Sequence, residues 1–211
     1  MYTIAVISEK GGVGKSTVGL SLAVAAVTKG NPVTVFDVDP QATASQWHDM
    51  RSADVAAIDV ISIQAARLSA AVKRAESQGV GFVFIDTPPR SGSETIEAAR
   101  CADLIVVPVE AHLFSLETVA KAVTIFKLAG NTPAVFVINK APVQGNDAAL
   151  AVDYITAQGL SVCPVILHLR AAHRHASNRG LVASELDADG KAASESLDLF
   201  KYIHKLLTKG N

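Results

Sequence analysis

Aromatic residues are scarce: they are 5% of the 211 residues, against 49% for all hydrophobic types. The core must therefore be built from Ala, Val, Ile and Leu. Cysteine is nearly absent. Cys101 and Cys163 each sit in an apolar setting, which excludes a disulfide framework and a cysteine metal site. A reducing cytosol is the expected compartment. An excess of one charge is also missing. Nineteen Lys and Arg against twenty Asp and Glu give −1, so no global basic field announces nucleic acid, and any DNA contact must come from a local patch. No apolar run approaches a membrane span, and no signal-peptide pattern precedes the first strand. Charged residues are only 18%, and with this much apolar residue the chain is not disordered. A single domain over residues 1–211, with a real core, is the expectation.

Against that background, strand-like apolar runs alternate with helical patterns. The order implies an α/β fold, a mostly parallel twisted sheet flanked by helices on both faces. Strands are expected at residues 3–8, 33–36, 60–63 (an edge), 80–85, 104–107, 134–138 and 160–167. Helices are expected at 18–29, 41–51, 64–78, 93–100, 113–128, 146–158 and 197–209. Gly30-Asn31-Pro32 stops the first helix. Ser91 or Ser93 caps the fourth. Trp47 reads as packing.

Between the first strand and first helix, residues 9–17 read EKGGVGKST. Strand, glycine-rich turn and helix in that order make the phosphate-binding loop of a P-loop NTPase. Glycines let successive backbone N–H groups turn toward an anion. The positive end of the helix dipole faces the same point. Gly11, Gly12, Val13, Gly14, Lys15, Ser16 and Thr17 are the candidate nucleotide-binding residues. Lys15 would reach the β- and γ-phosphates, and the Ser16 hydroxyl would ligate Mg²⁺.

Asp37 and Asp39 stand at the carboxyl end of the second strand, where ligands bind in parallel sheets. Asp86 follows the apolar run 80–85, the Walker B arrangement, and would hold Mg²⁺ through water. Asn139 ends the sixth strand. Its amide suits an adenine edge, or a local turn. Residues 169–180 then hold three Arg, two His and no acid. On a helix, Arg170 and Arg174 would share a face. With Arg179 they are candidate contacts to DNA phosphates, the alternative being a solvated basic face. His173 and His175 alone make a poor metal site.

One departure in the loop is informative. The general pattern has Gly where this chain has Glu9, and Lys10-Gly11-Gly12 stands at the front. This resembles the deviant Walker A motif of the ParA/MinD group of ATPases. DVDPQ at 37–41 and FVFIDTPP at 82–89 are similarly specific, whereas VVPVE at 106–110 and the spacing from Arg170 to Gly180 and Glu185 match more loosely. Together they cover nearly the whole chain. The resemblance implies a small ParA-type partition ATPase without an N-terminal helix-turn-helix domain. It implies ATP and Mg²⁺ as cofactors, and a homodimer in which Lys10 of each subunit reaches the other's phosphates. Lys10, Lys15 and Asp39 would be the catalytic set. Asp39 would orient the attacking water rather than deprotonate it, since an ordinary aspartate is a weak base. Asp37, with Ser16 and Asp86, would serve the metal. Hydrolysis would be slow and stimulated by a ParB-like or centromere-binding adaptor. The ATP state would bind non-specific DNA through Arg170, Arg174 and Arg179, placing the protein in the cytoplasm on the nucleoid. The biological task would be plasmid or chromosome partition, or cargo positioning.

A MinD-like ATPase is the main alternative, with the amphipathic stretch 197–209 on an anionic membrane. Closing of the sheet by that helix is the expectation, and Asp39-Pro40-Gln41 favours ParA. A metal-insertion ATPase would be expected to show paired cysteines. A non-enzymatic scaffold would keep Lys15 and hydrolyse nothing. Arg90 departs from the family pattern and is given no role.

Overall fold

Alternate residues of a strand face opposite ways, so a strand apolar on both faces needs cover on both sides. In the computed structural model, which describes residues 1–89, 92–111 and 116–209, six strands form one parallel sheet, all but one of them buried along most of their length. In chain order they are β1 (Tyr2–Val6), β2 (Val33–Asp37), β3 (Asp59–Ser62), β4 (Phe82–Asp86), β5 (Leu104–Glu110) and β6 (Ala134–Asn139). Their order across the sheet is β3-β2-β4-β1-β5-β6. The helices are α1 (Lys15–Thr28), α2 (Thr43–Asp49), α3 (Leu68–Ser77), α4 (Ser93–Cys101), α5 (Leu116–Leu128), α6 (Asp147–Ala157), α7 (Ala171–Ser177), α8 (Ala183–Leu186) and α9 (Lys191–Lys209).

The strand alternation sorts two cores. Ile4, Phe84, Val106 and Val137 face one side, with Leu22 of α1 and Leu199, Phe200 and Ile203 of α9. Ala5, Ile85, Ile105 and Ile138 face the other, with residues of α3 to α6. The few aromatics are shared between the two sides: on the first, Phe82 lies 5.7 Å from Phe200 and 5.6 Å from Tyr2, ring to ring, and on the second Phe126 lies 6.2 Å from Phe136. The apolar stripe of α9 is therefore spent in the core. This is the closing-helix arrangement, and α9 begins earlier than its periodicity suggests.

Three expectations need correction. Residues 160–167 do not form a regular strand. They run beside β6 and meet it at one isolated parallel bridge, Phe136 to Val162; a second, Ala141 to His168, lies just past the ends of both segments. Pro164, which has no N–H to donate, stands between the two bridges. The fourth helix is capped by Gly92, and Ser93 is its first residue, with its hydroxyl on the Glu94 carboxylate at 3.2 Å. Arg170 is not helical. It has extended backbone and precedes α7, so it shares no helix face with Arg174. Arg90, Ser91 and the predicted start of the fifth helix at 113–115 lie outside the described residues.

A buried clamp ties the C-terminal end of α2 to α8 and the segment before it. Arg51 donates to both oxygens of Glu185, at 2.7 and 3.0 Å, and to the carbonyls of Ala56 and Gly180. Its guanidinium lies 4.3 Å from the centre of the Trp47 ring, whose indole N–H donates to Leu181 O. The two charged side chains are 5% and 12% exposed. Gly180 has φ +65, and a Cβ there would stand 2.6 Å from the Met50 backbone, so glycine is required. Removing one member of a buried pair strands the other's charge. Glu185→Ala is therefore expected to lower the unfolding free energy by about 3 kcal/mol, read as a drop in the urea midpoint.

Candidate active site

The carboxyl ends of β1, β2 and β4 define the site. Register sets Val6 opposite Asp86 and Asp86 opposite Asp37. The chain leaving β1 turns through the glycine loop and enters α1 at Lys15. Gly12 and Gly14 hold φ of +79 and +89, which side-chain-bearing residues rarely adopt. Gly14 has a second reason: an added Cβ would lie 2.5 Å from the Asn139 side-chain nitrogen. Lys15 is only 7% exposed. Burial lowers its pKa, while the nearby Asp86 and Asp39 carboxylates raise it. Gly11 and Lys10 lie exposed at the mouth of the loop, and Ser16 and Thr17 are half-buried in the first turn of α1.

The acids differ in their duties. Asp37 is fully buried and accepts from the Asp39 backbone N–H at 3.2 Å and from the Ser45 N–H and hydroxyl, both at 2.9 Å. It thus holds the start of α2 against the sheet. Asp39 folds a tight turn by accepting from the Gln41 N–H at 2.9 Å. Asp86 is 4% exposed, and neither oxygen meets hydrogen-bond geometry, although the Ser16 hydroxyl is close enough to favour its charge. Burial pushes its pKa from 3.8 to about 7; Asp37 and Asp39 push the same way, against Ser16 and Lys15. A buried carboxylate with unmet oxygens fits a hard cation. Among the described residues no cluster of three or more His, Cys, Asp or Glu forms a cage. That suits Mg²⁺, which is commonly held by one or two carboxylates together with phosphates and water.

Next to the loop, a cavity of about 340 Å³ is lined by Gly14, Thr17, Asn139, His173 and Arg174, with Arg170 at its rim. Asn139 donates to Val13 O at 2.7 Å, so one of its two donors steadies the loop. Arg170 donates to Glu195, the shortest contact being 2.5 Å, and His168 Nδ1 meets the same carboxylate at 2.7 Å. Burial acts to raise Glu195, but these partners hold its pKa below the usual range. Arg174 and Arg179 are exposed. The basic segment thus divides: Arg170 is ion-paired beside the cavity, and Arg174 and Arg179 face solvent. A larger groove of about 810 Å³ lies between β3 and α3, away from the loop. Sequence reasoning missed Glu195, the Arg51–Glu185 clamp and Lys140, none of which carries a local motif.

A glycine loop at the carboxyl ends of parallel strands, a buried lysine at the helix start and an acid on the adjacent strand define a P-loop nucleotide-binding protein. Residues 4–182 match the family model described as the CobQ/CobB/MinD/ParA nucleotide binding domain. The chain belongs to that family. It is 30% identical over 208 residues to the maintenance of carboxysome distribution protein A of Gloeobacter kilaueensis, covering 92% of this chain and 93% of that one. It is 28% identical over 144 residues to the chromosome-partitioning ATPase Soj of Thermus thermophilus, covering 56% and 58%. An ATP complex of Cyanothece McdA has the same fold, with a TM-score of 0.78 at 19% identity over 95% of both chains.

The raised pKa of Asp86 has a measurable sign. With a folded value above the unfolded one, the folded state holds the extra proton between about pH 4 and 7, so stability falls across that window as pH rises. In metal-free protein, Asp86→Asn is expected to remove that decline and to be more stable than wild type above pH 7. Urea midpoints from about pH 4 to 8 check it.

Proposed function

We propose that this chain is an ATP-dependent dimerising switch that grips DNA without reading its sequence and releases it on hydrolysis, so positioning a cargo. The observation that carries the reading is the double duty of α7. The helix walls the cavity beside the phosphate loop, and it carries the exposed Arg174, with Arg179 just beyond its end. Family membership and the partition and distribution names of its relatives support it.

The chain's residues divide the work. The N–H groups from Gly11 to Thr17 cradle the phosphates, and Lys15 neutralises them. Asn139 and the cavity receive adenine. Ser16 and Asp86 would hold Mg²⁺, with Asp37 behind them, and an ion held there would screen phosphate charge. Asp39 positions the attacking water. Lys10, exposed at the mouth, reaches the partner's phosphates when two subunits close face to face. Closure also pairs the two basic segments, which multiplies phosphate contacts. A ParB-like adaptor speeds hydrolysis, the dimer reopens, and the protein leaves the nucleoid.

A membrane reading through α9 is less well supported, because Leu199, Phe200 and Ile203 would have to leave the core. Among the described residues, no helix is long and apolar enough to cross a membrane.

The deciding experiment is binding to random duplex DNA and to anionic liposomes, with ATP, ADP or no nucleotide, at several salt concentrations. ATP-dependent, salt-sensitive DNA binding is expected. Arg174→Ala or Arg179→Ala should each lower the salt slope by about 2 per closed dimer, one contact per subunit. Liposome binding without DNA binding would overturn the reading. Asp39→Ala is expected to dimerise with ATP yet hydrolyse it at least about tenfold more slowly, measured by phosphate release. Normal turnover would remove Asp39 from the catalytic set.

A further inference from the structure

Lys140 follows Asn139 at the end of β6 and holds a left-handed φ of +53. Such a conformation is uncommon for a residue with a Cβ, and it persists where surrounding contacts fix it. Two contacts do so here. The ammonium meets the Glu110 carboxylate at 3.0 Å and donates to the carbonyl of Gly12. Glu110 ends β5 directly opposite Asn139, so strand register places both anchors at one level.

Asn139 and Lys140 therefore hold consecutive loop carbonyls, those of Val13 and Gly12. A trans peptide is planar, and its C=O and N–H point in opposite directions. Drawing the Gly12 carbonyl toward β6 turns the Val13 N–H away from it. Drawing the Val13 carbonyl does the same to the Gly14 N–H. The two N–H groups at the heart of the loop are then aimed before any anion arrives.

We infer that Lys140 is a positioning residue for the phosphate loop: clasped between Glu110 and the Gly12 carbonyl, its ammonium pre-aims the loop N–H groups at the phosphates. This rests on the reading of residues 11–17 as an ATP site. Lys140 differs in role from Lys15. It acts through the loop backbone, so its effect is the same for any nucleotide whose phosphates occupy the loop.

The test uses the full chain with Mg²⁺, titrated calorimetrically with ATP and with ADP. Lys140→Met keeps the aliphatic stem and removes the ammonium. It is expected to weaken both nucleotides by the same factor, about tenfold. The KM for ATP should rise while kcat stays within about twofold, the pattern of lost ground-state positioning. Amide exchange at Val13 and Gly14 in nucleotide-free protein should quicken more than exchange in the strands of the sheet. Lys140→Arg, which restores a donor, should recover most of the affinity. The inference is overturned if Lys140→Met binds ATP within about twofold of wild type, or if Arg does no better than Met. Failure of the unmodified chain to bind either nucleotide would overturn the ATP reading instead.

Discussion

Asp86 and Lys15 are opposite charges held almost out of water at the point where three parallel strands end. Burial pushes both toward neutrality, and each offsets part of the cost for the other. The arrangement exists because β1, β2 and β4 are in parallel register, which levels Val6, Asp37 and Asp86. An antiparallel neighbour would carry its carboxyl end to the far side of the sheet. The glycine loop then has one course, over this cluster and into α1. The loop, the acids and the buried lysine follow from that register.

The site is wired outward by polar contacts that are individually ordinary. Asp37 binds the N–H and hydroxyl of Ser45, so the end of β2 fixes the start of α2. From the other end of α2, Trp47 and Arg51 hold the segment at 180–185. That segment follows α7 within a few residues. A continuous path of packed and hydrogen-bonded groups thus joins the acids at the strand ends to the basic segment. It gives movement in the turn at Asp39 a mechanical route to α7.

Much of the fold and loop was legible because the signals are local. EKGGVGKST, the apolar run ending at Asp86 and the stop at Gly30-Asn31-Pro32 each declare themselves within ten residues. What escaped depends on partners distant in sequence. Arg170 looked helical and free, yet it precedes α7 and pairs with Glu195, 25 residues on. The stretch 160–167 has strand composition, but with Pro164 inside it only an isolated bridge to β6 forms, at Val162. Arg51 and Glu185 are separated by 134 residues, and neither is unusual in its own neighbourhood. Lys140 sits beside a residue singled out for another reason, and only the structure shows its ammonium on the loop.

Near-neutrality of the whole chain bears on the proposed DNA grip. With a net charge of −1 there is no long-range field to hold a lone subunit on a polyanion. Glu195 takes up the charge of Arg170, which leaves Arg174 and Arg179 as the outward cations of the segment. Two phosphate contacts give weak binding that salt readily abolishes. A dimer presenting two such segments binds through effective concentration, so its affinity grows far more than twofold. A strongly basic chain would stay on DNA in every nucleotide state. Weak local charge would make the proposed binding conditional on assembly, and assembly is what the phosphate loop would control.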